Sequence, residues 1–340
     1  MSTTEIVIAG TGSFVPETVI TNRMIVDFIG QKDPDWITNR LGVKERRFMA
    51  PFDKDGFPTY DTDELNMAEA AARKAIHNAD LKAEDVHGLY FVSCTSTVNR
   101  THLSRAGFDL HRRLGLPNTC RLIQTDLGCG GFVAALGDAA ELLRGSDRTT
   151  MLVVASNAPS KHFGGNLSAY LTSEAWLSAY LFGDGAGAFV LHKQQGDGTT
   201  GILASYFAVD PTQPLMAYAS KGSMPPVYLI DAMAVKMGYL QYSQIAISGL
   251  QKQYPVPLDE VDRFYFHQAN GRLFDALVDK LGIPSERAAR NVMRYGNTSA
   301  AATPILFSED RQSGAVMDGE LCLFCTAGAG AQYGAILVRM

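Results

Sequence analysis

The chain has 340 residues, of which 46% are apolar, 19% charged and 9% aromatic, and that length exceeds the roughly 250–300 residues a single core supports, so two cores or two halves sharing one are expected. A formal charge of -5 and a pI near 5.8 argue against the clustered Lys and Arg of a nucleic-acid surface. No run approaches the ~18 apolar residues of a membrane span, so no membrane partner is expected either.

The opening residues have no positively charged region before a short apolar run, which reads as a first strand at 5–9 rather than a secretory signal. Five cysteines, an odd number without secretory context, read as reduced thiols, and a cytoplasmic location is expected. Further β-branched and aromatic runs follow at 88–93, 121–125, 151–155, 186–192, 263–267, 320–326 and 334–339. Between them, 64–80 and 132–144 carry apolar residues at helical spacing, Leu65, Ala68, Ala72 and Ala75 in the first and Phe132, Leu136, Ala139 and Leu143 in the second. Strands alternating with helices predict a layered α/β fold with parallel sheets. The polar, turn-rich stretch QQGDGTTG at 194–201 places a boundary between two α/β halves, 1–196 and 197–340, and an internal structural duplication is expected.

Chemistry concentrates in three motifs. In DLGCGGF at 126–132 a strand-like run meets a helical one at Cys129, between glycines that permit a sharp turn. A helix N-terminus there is expected to lower the thiol pKa through its free N–H groups and dipole; a small buried hydrophobe is the alternative. In FHQANGRL at 266–273, His267 ends an apolar strand, and in RYGNTSAAATP at 294–304 Asn297 enters a helix of small residues, where it could also serve as an N-cap. Together they supply a nucleophile, a proton or hydrogen-bond partner and an amide donor. Cys94, Cys120, Cys322 and Cys325 lack glycine on both sides and read as structural, and the apolar setting of the C-x-x-C at 322–325 argues against zinc. GDGAGA at 183–188 and AGAGAQYGA at 327–335 do not continue to Lys-Ser/Thr and read as tight turns rather than phosphate loops.

These motifs resemble, across nearly the whole chain, the class III β-ketoacyl-acyl carrier protein synthases of the thiolase fold. The similarity includes DWITNRLGVKERR at 35–47, the Cys129 turn, FGDGAGA at 182–188, HQANGRL at 267–273, GNTSAA at 296–301 and GAGAQYGAILVR at 328–339. It implies two pseudo-duplicated halves in an αβαβα arrangement and a homodimer. Cys129 would take an acyl group from a thioester, while His267 and Asn297 hydrogen-bond the carbonyl of a malonyl-type thioester that loses carbon dioxide. The backbone N–H groups of Cys129 and Ala329 would form the oxyanion hole. Trp36 and Arg40 match residues that hold the adenine end of coenzyme A, Arg272 matches a carrier-docking position, and Lys236 could assist. A neighbouring imidazolium would favour the Cys129 thiolate. No metal or bound cofactor is implied; acyl-CoA or acyl-carrier-protein and a malonyl-type thioester are the expected substrates.

The chain departs from the family at several points. Gln124 stands where Asp is usual, with Asp126 three residues before the nucleophile, and Lys161 falls where an arginine contacting coenzyme A is common. The segment 157–181 is long, and Leu103 lies near the place of an aromatic that limits the acyl pocket. A specialised substrate is therefore expected. Transfer of the acyl group to an alcohol or amine, a papain-like protease and an inactive carrier-binding relative are the competing readings; the protease lacks its C-G-S-C-W/Y signature.

Overall fold

The structure, a computed structural model, describes residues 2–50, 61–95, 105–163, 176–212, 217–219 and 228–340. Two mixed sheets organise them. The first contains β1 (Thr3–Phe14), β2 (Gly88–Val92), β3 (Arg121–Thr125), β4 (Thr150–Asn157) and β5 (Gly185–Gly196), in the order β1-β5-β4-β2-β3. The second contains β6 (Gly201–Val209), β7 (Arg263–Phe266), β8 (Leu321–Gly328) and β9 (Gln332–Arg339), in the order β6-β9-β8-β7. Chain passes from one sheet to the other between Gly196 and Gly201.

Strand–helix alternation predicts parallel sheets, and the structure corrects this to mixed ones. In each sheet the first three strands of the order alternate in direction and only the far side is parallel, β4 to β2 to β3 in one and β8 to β7 in the other. An isolated parallel bridge from Phe264 to Ala288 continues the second sheet, so the same run of strand directions recurs in both. The antiparallel pairing of β8 with β9 follows from their connection, a turn of only residues 329–331, too short for the crossover a parallel pair needs.

Period-two alternation distributes the strand residues between layers. Leu89, Phe91, Leu152 and Val154 face α1 (Asp61–Asn78) and α2 (Ala106–Leu114), whereas Tyr90, Val92, Met151 and Val153 face inward toward α3 (Gly131–Arg144). In the second sheet Phe264, Phe266, Leu321 and Leu323 face α4 (Ala232–Gln253) and α5 (Gly271–Leu281), while Tyr265, Cys322 and Phe324 join the inner core with α6 (Ala302–Ser313). Helices α3 and α6 thus form a middle layer between two sheets, each covered outside by further helices. Cys322 and Cys325 fall on opposite faces of β8, so the C-x-x-C cannot converge on one ion.

Glycines of GDGAGA are mostly not turn residues, contrary to expectation. Gly185 and Gly187 lie inside β5 against α6, where a Cβ would come within 2.7 Å of Ile305 and 2.7 Å of Pro304. Close sheet–helix approach in the middle layer is their physical reason. At its centre, Phe189 packs edge-on against Phe132 at 4.9 Å and against Phe307 and Phe324 at 5.0 and 6.1 Å between ring centroids, joining both sheets and both middle helices. Replacing Phe189 with Ala is expected to cost about 3–5 kcal/mol and to lower a single unfolding transition; two transitions moving independently in calorimetry would contradict a shared core.

Candidate functional site

Cys129 occupies the turn between β3 and α3. Gly128 takes φ +55, the left-handed conformation that lets the chain reverse without a Cβ penalty, and its N–H donates to Asp126 Oδ1 at 3.1 Å. From the other sheet, the end of β8 presses on this turn so closely that a Cβ on Gly328 would lie 2.8 Å from the Gly130 nitrogen. The position of a Cβ on Gly128 is likewise 3.7 Å from Ala329 Cβ, so the two turns proposed for an oxyanion hole are in contact.

Asn297 enters through a different set of backbone bonds. Its N–H donates to Leu181 O at 2.9 Å and its carbonyl accepts Gly183 N–H at 3.1 Å, which fastens GNTS to FGDG. Its Oδ1 accepts Ser299 N–H at 2.8 Å, an Asx turn just before the helix start, where Thr298 rather than Asn297 holds the N-cap position. Nδ2 donates to Ala269 O at 3.2 Å, which leaves one further N–H on the amide. His267 follows β7, its N–H donating to Cys325 O at 2.9 Å and its carbonyl accepting the Tyr239 hydroxyl at 2.7 Å.

A closed circuit results. Cys129 Sγ accepts from Ser299 Oγ at 3.6 Å, Ser299 holds Asn297, Asn297 holds Ala269 two residues past His267, and His267 hangs on β8, whose Thr326 and Gly328 border Gly130. His267 and Asn297 are 3% and 4% exposed, and His267 Nδ1 is buried with no partner among the described residues.

Burial decides the electrostatics. It pushes the Cys129 thiol pKa above its ordinary value, with the Asp126 carboxylate acting the same way, against the lowering effect of the Ser299 hydroxyl and the residue's own N–H. Among these effects only the residue's own N–H acts as the helix N-terminus is expected to. Desolvation also lowers His267 to about 4, so the ring is neutral at neutral pH and supplies no imidazolium to the thiol.

Other sequence-derived positions separate into two groups. Trp36 and Arg40 lie on the helix Pro34–Leu41, and Arg272 in the first turn of α5 donates to Asn39 O at 2.7 Å, so these three are on adjoining elements with Arg40 exposed. Trp36 meets Trp176 edge-on at 5.8 Å, and the Lys32 ammonium stands 5.2 Å from the Trp36 ring centre. Lys236 is exposed on α4. Lys161 is elsewhere: its ammonium contacts Glu64 at 2.5 Å in an ion pair whose side chains are 7% and 1% exposed, so its charge is not offered at that surface. Leu103 lies outside the described residues.

Sequence reasoning passed over Ser299, although it stands inside GNTSAA, and gave no sign that Cys94, which it reads as structural, borders the site: its Sγ lies 3.1 Å from Ser299 Oγ and 2.9 Å from Asn157 Oδ1. Flanking glycines are a signal for a sharp turn, and Cys94 reaches the site from a strand end instead.

A cysteine at the tip of a middle-layer helix between two sheets with the same run of strand directions defines a layered fold of the thiolase type. Residues 124–211 match the family described as 3-oxoacyl-[acyl-carrier-protein (ACP)] synthase III, and 252–340 match its C-terminal family. The chain is 32% identical over 336 residues to the β-ketoacyl-[acyl-carrier-protein] synthase III of Geobacillus kaustophilus, covering 98% of both, and 33% identical over 344 residues to the mycobacterial β-ketoacyl-[acyl-carrier-protein] synthase III of Mycobacterium tuberculosis, covering 97% of this chain and 94% of the other. Among solved structures, 3-oxoacyl-[acyl-carrier-protein] synthase III from Aquifex aeolicus superposes with a TM-score of 0.83 at 26% identity, over 99% of this chain and 100% of that one. OleA from Xanthomonas campestris shares the fold with a TM-score of 0.86 at 19% identity, over 100% of each chain. The chain belongs to the β-ketoacyl-[acyl-carrier-protein] synthase III family.

The histidine gives a pH signature. An unfolded His titrates near 6.5 while the folded ring resists protonation until about 4, so the stability it contributes is intact above 6.5 and is lost as pH falls through that window. The slope should approach about 1.4 kcal/mol per pH unit. Chemical denaturation of the protein and of His267→Gln at pH 7.5 and 5 should show a smaller acid loss in the variant; equal losses would place a protonated ring in the folded site.

Proposed function

We propose that the protein holds an acyl group on Cys129 and joins it to a malonyl-type thioester by decarboxylative Claisen condensation. The observation that carries this reading is a buried, neutral His267 linked through Ala269 to the Asn297 amide, which Ser299 joins in turn to Cys129. Neutral donors in a dry site stabilise charge that appears only during reaction.

Cys129 Sγ attacks the carbonyl carbon of the acyl thioester, and the donor's thiol departs with the proton. When the malonyl-type thioester follows, its carboxylate carbon leaves as carbon dioxide and the bonding pair passes into an enolate. The enolate oxygen accepts hydrogen bonds from His267 and Asn297, and a neutral imidazole still has one N–H to give. The enolate carbon then attacks the acyl carbon, whose oxygen becomes anionic toward the N–H groups of Cys129 and Ala329. Collapse forms the 3-oxo product and returns the Cys129 sulfur.

Trp36, Arg40 and Arg272 would receive the coenzyme A or phosphopantetheine end, with Lys236 on the carrier-protein approach; Lys161 is left out because it is buried on Glu64. A homodimer fits the edge position of β3 in its sheet and the 61% exposure of Phe108 on the adjacent α2, and five free cysteines fit a cytoplasmic location.

Replacing Asn297 with Ala removes one donor to the enolate and should lower condensation by about 10²–10³. Loading of Cys129 should persist, so acyl-enzyme accumulates in intact-protein mass spectra. Normal turnover by the variant, with the acyl group passed to an alcohol or amine, would favour simple acyl transfer.

A further inference from the structure

Resting on that reading, we propose that Ser299 is a catalytic residue of the loading step: its hydroxyl donates to the Cys129 sulfur and holds it as the reactive thiolate. Ser299 Oγ stands between two sulfurs, 3.6 Å from Cys129 Sγ and 3.1 Å from Cys94 Sγ. Cys94 Sγ is also 2.9 Å from Asn157 Oδ1, which can only accept, so the Cys94 proton has a resting place there. Ser299's single proton is then available to whichever sulfur holds it better. A bond to an ionised partner is roughly twice as strong as one between neutral groups, so the hydroxyl turns to Cys129 when that thiol ionises.

The need for such a donor follows from the surroundings. Desolvation and the Asp126 carboxylate both oppose the thiolate. Among the described residues packed on this turn, the end of β2 brings the neutral Cys94 thiol, behind which Glu64 is paired with Lys161; the end of β8 brings Gly328, the start of β9 brings the uncharged Gln332, and β7 ends in a histidine neutral above about 4. None of these supplies positive charge. Ser299 is the side chain whose contact with the sulfur favours ionisation.

Backbone geometry supports the assignment. Ser299 holds φ +55, a conformation a non-glycine residue adopts at a cost, and this brings its N–H to Asn297 Oδ1 at 2.8 Å and its hydroxyl to the sulfur together. During loading the Ser299 proton stays on Oγ throughout; the Cys129 proton ends on the departing thiol of the acyl donor.

Glycine is at ease at this φ and keeps the N–H to Asn297, so S299G removes the hydroxyl and leaves the turn. The experiment is the pH dependence of iodoacetamide alkylation of Cys129, followed on the peptide that contains it in the full chain without any acyl donor. The midpoint in S299G should rise by about one pH unit, with roughly tenfold slower alkylation below it. In C94A the hydroxyl keeps only Cys129, and the midpoint should stay or fall. An unchanged midpoint in S299G, or an equal rise in C94A, would overturn the proposal. Because no thioester is used, these outcomes stand apart from whether the enzyme condenses.

Discussion

The contact between the end of β8 and the first turn of α3 governs the site. Where Gly328 meets Gly130 there is no room for even a methyl group, and this brings the second sheet against the turn that carries Cys129, the proposed nucleophile. Burial on the two sides of this contact differs: His267 is 3% exposed and held neutral by desolvation, while Cys129 is half-buried and its thiol is still raised. A site built this way trades an easily ionised nucleophile for strong hydrogen bonds at the moment charge develops.

That trade explains how chemistry is shared among the residues. Condensation gains from desolvation, because neutral donors act on an enolate with little solvent competition. Loading suffers from it, because a half-buried thiolate has lost part of its solvation. Ser299 sits where the two demands meet, joined to Asn297 by its backbone and to Cys129 by its hydroxyl. Glu64 and Lys161 show the same economy nearby: the carboxylate accepts from Thr95 at 2.8 Å, from Lys161 at 2.5 Å and from Ser93, so neither charge is left bare inside the fold.

Much of this was legible in the sequence because local rules and the tertiary outcome agree. The glycines around Cys129, the strand end at His267 and the turn at Asn297 each announce a backbone feature, and the helical spacing of 132–144 matches α3. What escaped depends on neighbours far along the chain. The antiparallel halves of the sheets follow from pairing choices that alternation cannot express. The thiol's raised pKa comes from layers that cover it, and a helix-tip argument counts only the local dipole. Lys161 matched by position, yet its rotamer is set by Glu64, 97 residues earlier. Cys94 and Ser299 are 205 residues apart, and no window on the sequence brings them together.

The most direct measurement on the proposed reaction is its stoichiometry. Purified enzyme would be given an acyl thioester and malonyl thioester labelled with carbon-13 at the free carboxyl, while released carbon dioxide and acyl consumption are followed together. Condensation requires one labelled carbon dioxide for each acyl group consumed and a 3-oxo product two carbons longer than the acyl donor. Acyl consumption with the label retained in malonyl thioester would contradict it.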